Sequence, residues 1–283
     1  LPIYIDMLII AKLHLFSKEN KPQIIYEIAD LNKLIADEQK NIISKYIKKA
    51  LIKLESRLCN SIDTLVVTSE KFYENYYSNF VPKSKLLFMP NMPDLRAFEN
   101  YSRKKTGTFT IGFIGAIRYK KQMKMLIDAA EKCNINILFA GAGLDNEIEV
   151  VTKNKPYITY YGKYDYNKEV ATLYGQADCI YAVYDADLNN VKIALPNKLY
   201  EAIYCELPII VAKGTYLGEL AESLGVGVTV SHNNPKDLIY ELTRLSTDKE
   251  YYNKFIQNCR KHKNMIDAEI YNKRLRHVFD KLI

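Results

Sequence analysis

The sequence predicts an α/β fold of about two domains, the second of them doubly wound. A chain of 283 residues, 48% of them hydrophobic, is long enough for about two domains of ~150 residues. From residue 108 onward, buried-strand patterns alternate with amphipathic helical patterns. This alternation is typical of a parallel sheet that helices cover on both faces.

The first predicted domain, with its linker, spans residues 1–105. Three apolar runs predict its strands: "QIIYEIAD", "DTLVVTS" and "KLLFMP". Residues 92–106 contain Pro93 and break the periodicity, which is typical of a linker. The sequence opens at Leu1 without a methionine, and we expect that a segment upstream is missing.

The long helix predicted between the first two strands has two distinct faces. Its apolar residues have the spacing of one buried face: Ile43, Ile47, Ala50, Leu54 and Leu58. Lys45, Lys49 and Lys53 repeat on another face. Two interpretations stay open for these lysines: a solvated surface, or a cationic strip that contacts the anionic headgroups of a membrane as a peripheral protein does.

The second predicted domain spans residues 106–265. Its strand patterns are, in order, "TFTIGFIGA", "INILFAG", "ITYYGK", "CIYAVYD", "LPIIVA" and "VGVTV". Helical patterns separate them, and right-handed crossovers then make a doubly wound domain. Ligands of such a domain bind at the carboxyl ends of its strands. A last helix, assigned to residues 266–283, is expected to pack back on the first domain.

Charge and cysteine content narrow the class of protein. There are 40 Lys and Arg residues against 33 Asp and Glu residues, a net charge of +7, which favours anionic ligands without choosing among them. The five cysteines form no CxxC pair, so we expect a reducing compartment and no zinc site. No apolar run near the start approaches the ~20 residues of a spanning helix, and the predicted location is the cytoplasm.

The first candidate site is "GFIGAIRYKKQ" at 112–122, where a strand runs into Gly115 and a helix follows. Glycine permits a tight turn, and the N–H groups at a helix N-terminus bind anions. Arg118 and Lys121 add positive charge, which suits a phosphate or diphosphate. The alternative is an ordinary strand–helix turn with solvated lysines.

The second candidate site is the helix start in "LPNKLYEAIYC" at 195–205. Asn197 is a favourable N-cap residue, so Lys198 lies at the positive end of the helix, where a cation is unfavourable unless an anion is bound. Glu201, one turn later, suits the paired hydroxyls of a ribose. The alternative is a surface ion pair between Lys198 and Glu201.

Other polar residues give weaker indications. The four histidines are isolated from each other in sequence, and we assign them structural or solvated roles. Asp185 and Asp187 form a DxD pattern, but they follow a strand in a part of the domain where we do not favour a metal. We therefore predict no metal site.

The order of these motifs, from "GFIGAIRYKKQMKMLIDAA" through "ILFAGAG" to "PNKLYEAIYCELPIIVA", resembles the carboxyl-terminal half of the group 1 glycosyltransferases, the retaining family 4 of the GT-B fold. The resemblance covers about residues 107–231 and is weaker over 23–91. It implies two Rossmann-like domains that face a cleft, with the earlier strands of the first domain absent from this chain.

The resemblance also implies an activity. The protein would be a hexosyl- or related glycosyltransferase that moves a sugar from a nucleotide-diphosphate donor to a saccharide or lipid-linked saccharide, in surface polysaccharide synthesis. It implies no cofactor, no bound metal and no nucleic-acid partner. The donor-binding residues would be Gly115, Arg118, Lys121, Lys198 and Glu201. Of these, Lys198 and Glu201 would carry catalysis, with the lysine at the phosphates and the glutamate at the ribose.

The chain departs from the family pattern at two positions. The family's usual diphosphate-binding arginine position is Ala116, so Arg118 would have to substitute for it. The partner glutamate eight residues before Glu201 is replaced by Ile193. These departures motivate one alternative, a non-catalytic GT-B-like protein that binds nucleotide sugars or serves as a scaffold. A second alternative is a sugar-nucleotide epimerase.

Overall fold

A computed structural model of the chain describes residues 23–38, 41–104, 107–143 and 146–282. The first 22 residues of the first predicted domain lie outside the described residues. Within the described ranges, no helix is long and apolar enough to cross a lipid bilayer.

The chain divides into two compact units. The first unit groups the chain up to Asn91 with Leu188–Leu195 and Asp267–Ile283, and the second contains Met92–Asp187 and Pro196–Ile266. The polypeptide therefore leaves the second unit at residue 188 and returns to it at residue 196. No pattern in the sequence indicated this excursion.

The first unit is built on a short parallel sheet. Its strands are β1 (Ile25–Ile28), β2 (Thr64–Val67) and β3 (Leu86–Phe88), paired in that order. Its helices are α1 (Lys33–Ala36), α2 (Ile42–Cys59) and α3 (Glu70–Asn75). All four residues of β2 are buried, which is expected of a central strand covered on both faces.

The long helix α2 does not bury the predicted apolar face. Ile43 is 73% exposed, Ile47 is 45% exposed and Leu54 is 38% exposed. Of the five apolar residues assigned to the buried face, only Leu58 is buried. The prediction of this face was wrong, although the helix itself is present.

The inner face of α2 carries a carboxylate in place of an aliphatic side chain. Glu55 is 2% exposed, and Oε1 accepts hydrogen bonds from the hydroxyls of Tyr26 at 3.0 Å and Tyr77 at 2.8 Å. The hydroxyl of Tyr76 donates to Oε2 at 2.6 Å. A buried carboxylate is tolerated when its oxygens are hydrogen-bonded, so hydrophobic spacing alone pointed to the wrong face.

The second unit contains a six-stranded parallel sheet in the order β6-β5-β4-β7-β8-β9. The strands are β4 (Thr110–Ile114), β5 (Asn136–Ala140), β6 (Ile158–Gly162), β7 (Cys179–Ala182), β8 (Ile209–Ala212) and β9 (Gly227–Val230). Each lies within one of the predicted strand patterns. The order reverses between β4 and β7, which is the switch point of a doubly wound sheet.

Helices connect these strands and flank the sheet. They are α4 (Lys120–Cys133), α5 (Asn146–Lys153), α6 (Tyr166–Gly175), α7 (Asn189–Ile193), α8 (Lys198–Tyr204), α9 (Tyr216–Ser223), α10 (Pro235–Thr247), α11 (Lys249–His262) and α12 (Ala268–Leu282). Helices α7 and α12 belong to the first unit. The core under α4 is formed by Phe113, Leu126, Phe139 and Tyr181, none of which is exposed.

The segment interpreted as a linker has structure of its own. Residues Leu95–Phe98 form a 3₁₀ turn, and Phe98 is 1% exposed. Its ring lies edge-on to Tyr166, Tyr174 and Tyr204, with centroid distances of 6.3, 5.6 and 5.6 Å. The start of the second unit is thus packed into an aromatic cluster and is not a free linker.

Candidate functional site

The candidate site lies at the carboxyl edge of the six-stranded sheet, where β4 ends next to β5. Backbone hydrogen bonds join the two turns that follow these strands: Gly115 N donates to Ala140 O at 2.7 Å, and Ile117 N donates to Ala142 O at 2.8 Å. Gly141 has a φ of +142°, and a Cβ there would lie 1.8 Å from Gly115 O. The two turns therefore pack backbone against backbone, and they form the base of the candidate site.

Lys198, the first residue of α8, extends to the turn at Gly115. Its side chain is 9% exposed, and Nζ donates a hydrogen bond to the carbonyl oxygen of Ile114. Burial lowers the pKa of Lys198, and the nearby Glu201 carboxylate partly opposes that shift. A buried ammonium at the positive end of a helix is poorly stabilised on its own, so an anionic ligand at this point would improve its environment.

Gly115 makes this position of the lysine possible. Its φ is +136°, and a Cβ built on it would lie 2.8 Å from Nζ of Lys198. Only glycine combines that backbone conformation with such a close approach. The structure therefore brings Lys198 of the second predicted site to Gly115 of the first.

Glu201 is held within the protein by three donors. It is 2% exposed; Oε1 accepts from Tyr166 Oη and Asn197 Nδ2, both at 2.8 Å, and Oε2 accepts from Tyr174 Oη at 2.5 Å. Burial and the charge of Glu201 also raise the pKa of nearby Tyr164 to about 12. A ribose would have to displace or share one of these donors in order to reach the carboxylate.

Asn197 occupies the predicted N-cap position of α8, which is confirmed. Its side chain makes no capping hydrogen bond, and its amide group instead donates to Glu201 Oε1. Tyr166, Tyr174 and Asn197 together orient Glu201, and the two tyrosines were missed because they lie 35 and 27 residues away in the sequence.

The predicted cations at the start of α4 are at the surface. Arg118 and Lys121 are both exposed. Burial raises the pKa of the nearby Tyr184, and the positive charge of Arg118 partly opposes that rise. Lys120 and Lys124 both form ion pairs with Glu147 at 2.9 Å and lower the pKa of that carboxyl to about 2. Arg118 and Lys121 remain accessible to a ligand from solvent.

The two positions that depart from the family pattern lie in different units. Ala116 is exposed in the turn after β4. Ile193 ends α7 in the first unit, where it packs against the apolar core and its carbonyl accepts a hydrogen bond from the Ser69 hydroxyl. Ile193 is therefore part of the packing of the first unit.

A family model and a curated protein match the chain in sequence. Residues 96–262 match the family model described as glycosyl transferases group 1. A curated relative is the succinoglycan biosynthesis protein ExoL of Rhizobium meliloti (strain 1021), 23% identical over 223 residues, with 73% of this chain and 54% of the relative covered. The chain thus spans about half the length of the curated relative that it matches.

Solved structures share the fold. HepE from Anabaena, solved in complex with UDP and glucose, aligns with a TM-score of 0.73 at 13% identity over 98% of this chain and 76% of that chain. A sucrose-phosphate synthase from Thermosynechococcus elongatus aligns with a TM-score of 0.72 at 17% identity, over 96% and 70% of the two chains. At such identities the likeness shows the fold alone, and it confirms the predicted GT-B class.

Proposed function

Because the chain belongs to the group 1 glycosyltransferases, we propose that it transfers a sugar from a nucleotide-diphosphate donor to a saccharide or lipid-linked saccharide, with retention of the anomeric configuration. ExoL is named for succinoglycan biosynthesis, which supports a surface polysaccharide as the product. HepE was solved with UDP and glucose, which supports a UDP-hexose as the donor.

The observation that carries the proposal is the buried ammonium of Lys198 at the carboxyl edge of the sheet. Ligands of doubly wound domains bind at this edge, and the position of Nζ beside the Gly115 turn supports a phosphate site there. A buried cation that has no ion pair among the described residues suits a diphosphate better than a neutral sugar. Arg118 and Lys121, exposed in the turn and first helical residues beyond β4, would add a second, solvent-facing group of cations.

The chemistry follows from this charge. As the glycosidic bond of the donor breaks, negative charge develops on the departing nucleoside diphosphate, and a preorganised cation stabilises it. The same stabilisation lowers the barrier to an oxocarbenium-like sugar. In this scheme Lys198 contacts the diphosphate and Glu201 contacts the ribose after exchanging one of its internal donors. Neither residue acts as a covalent nucleophile.

Calorimetric titration with UDP, GDP and a panel of their sugars tests the donor site. Lys198→Met keeps the length and apolar stem of the side chain and removes the charge, so we expect donor affinity to fall by roughly tenfold to a hundredfold. Lys132→Met is the matched control, since Lys132 is an exposed lysine of the same unit in the last turn of α4, at the opposite end of that helix from the candidate site. Equal affinity of the two variants would contradict the proposed site.

The product distinguishes a transferase from its alternatives. With a saccharide acceptor present, NMR of the product should show the anomeric configuration of the donor. Epimerised donor formed without an acceptor would indicate an epimerase. Tight donor binding with no turnover on any acceptor would favour the binding or scaffold protein.

We further propose that α2 contacts an anionic membrane surface, which would bring a lipid-linked acceptor to the enzyme. Ile42 and Tyr46 are 71% and 69% exposed, next to the exposed lysines Lys45, Lys49 and Lys53. Apolar side chains beside cations on one helix suit the interface between headgroups and acyl chains.

Co-sedimentation with vesicles tests this contact. A triple Lys45→Glu, Lys49→Glu, Lys53→Glu variant should lose binding to vesicles that contain anionic lipid, because each basic residue near such a surface contributes about 1 kcal/mol. The unchanged chain should release from the vesicles as salt is raised. Equal binding to neutral and anionic vesicles would rule the proposal out.

A further inference from the structure

The carboxyl edge of the same sheet holds a second group of polar side chains that the proposed reaction does not use. Asp185 and Asp187 follow β7, and His232 follows β9. His232 Nε2 lies 3.7 Å from Asp185 Oδ1 and 3.4 Å from Asp187 Oδ2. Each residue presents one ligand atom, and these three atoms lie within 4.8 Å of one another. Nothing in the sequence groups His232 with the DxD pattern, because His232 lies 45 positions after Asp187.

One nitrogen of the imidazole lacks a hydrogen bond to the described residues. Among the residues that the structure describes, Nε2 of His232 is buried and has no hydrogen-bond partner. Its separations from the two carboxylates exceed the 2.7–3.2 Å of an N–H···O hydrogen bond. A buried polar nitrogen that is left unpaired is destabilising, and a ligand that the carboxylates can share with it would relieve this.

A metal ion fits these separations. Ligand atoms about 2.0–2.2 Å from a tetrahedral ion lie about 3.3–3.6 Å from each other, close to the two observed distances. One imidazole and two carboxylates are ligands that Zn²⁺ accepts. Asp187 is 82% exposed, so solvent reaches the group and a water molecule can complete the coordination.

The ligand-bearing segments are held by the surrounding protein. Gln122, 2% exposed, donates from Nε2 to the backbone oxygen of His232 at 3.0 Å. The backbone carbonyl of Gln122 accepts from the Tyr181 hydroxyl at 3.0 Å. The backbone N–H of Asp187 donates to Asp185 Oδ1 at 3.1 Å. The backbone of His232 and the carboxylate of Asp185 are thus held by the protein itself.

We propose that Asp185, Asp187 and His232 form a binding site for a divalent transition-metal ion, with Zn²⁺ the best match. The site goes beyond the proposed transferase activity, because the ion binds without any nucleotide sugar. An experiment can therefore reject the metal site without rejecting the donor site, and the reverse.

Binding of Co²⁺, which replaces Zn²⁺ and absorbs visible light, tests the proposal on the full chain after dialysis against a chelator. The Cys133→Ser background removes the one partly exposed thiol among the described cysteines, so that thiolate coordination does not contribute. We expect one equivalent of Co²⁺ with the visible bands of a four- or five-coordinate ion, and competition by Zn²⁺.

Two variants and two controls complete the test. His232→Ala and Asp185→Asn should each weaken Co²⁺ and Zn²⁺ binding by at least tenfold; the asparagine keeps an oxygen for the Asp187 N–H. Asp128→Asn and His262→Ala change residues of the same unit outside the cluster and should bind as the parent does. Absence of binding by the parent, or unchanged binding by His232→Ala, would overturn the assignment.

Discussion

Nζ of Lys198 lies so close to the Gly115 turn that a single added methyl group on the glycine would stand 2.8 Å from it. A Gly115→Ala substitution therefore strains the backbone, since φ is +136°, and it also displaces the end of the lysine side chain. We expect the free energy of unfolding to fall by about 1–3 kcal/mol and donor affinity to fall as in Lys198→Met. Urea unfolding and calorimetry measure the two effects.

Gly107→Ala is the control for this prediction. Gly107 lies in the same unit, and a Cβ there meets no atom within 4 Å, so we expect a change within about 0.5 kcal/mol. If both alanine variants kept full stability and donor affinity, the close approach of Lys198 to Gly115 would not matter for folding or donor binding, and the prediction would be wrong.

These residues also show how much of the fold and of the site can be predicted from the sequence. The strands of the second unit and the position of Lys198 at a helix start follow from local patterns, because periodicity and capping act over a few residues. The donors to Glu201 do not, since Tyr166 and Tyr174 approach it only after the chain has folded. Likewise, α2 turns Glu55 inward, because long-range tyrosine hydroxyls satisfy a carboxylate that local hydrophobicity places outside.

Removing one of those hydroxyls should destabilise the first unit. Tyr77 is 2% exposed and donates to the charged Glu55 at 2.8 Å. Hydrogen bonds to charged groups contribute about 1.5–3 kcal/mol, so Tyr77→Phe should lower the free energy of unfolding by that amount. Tyr73→Phe removes a neutral hydrogen bond to Val81 O at 3.0 Å and should cost about 0.5–1.5 kcal/mol. A larger loss in the Tyr73 variant would contradict the charged network.

Glu206 occupies a backbone conformation that favours glycine. Its φ is +55° just after α8, and its carboxylate pairs with Arg260 at 2.7 Å and Lys263 at 3.5 Å. Both Glu206→Gly and Glu206→Ala lose these partly exposed ion pairs, but only glycine relieves the left-handed backbone. We expect the glycine variant to be the more stable of the two by about 1 kcal/mol. Thermal unfolding of the pair measures the difference, and an alanine variant of equal stability would contradict it.

The thiols should differ in reactivity. Cys133 is partly exposed, whereas Cys59, Cys179, Cys205 and Cys259 are buried. Burial also raises the pKa of the buried thiols, to about 12 for Cys59 and Cys259, and the thiolate is the reactive form. In native protein one of the five thiols should react rapidly with a disulfide reagent, and Cys133→Ser should abolish that phase. Rapid reaction of two or more thiols would contradict the burial.

The same buried thiols predict how stability depends on pH. Burial first, and then the charge of Glu55, raise the pKa of Cys59 to about 12 in the folded chain, whereas an unfolded thiol titrates near ~8.5. Because the folded pKa is the higher one, the contribution to stability is fully present below about pH 8.5 and is lost as the pH rises toward 12. Each such thiol lowers the free energy of unfolding by up to about 1.4 kcal/mol per pH unit within that window. Urea unfolding followed by far-UV circular dichroism at about pH 8 and about pH 10 should therefore show a loss that is smaller in Cys59→Ala, and a loss unchanged by Cys59→Ala would contradict the assignment.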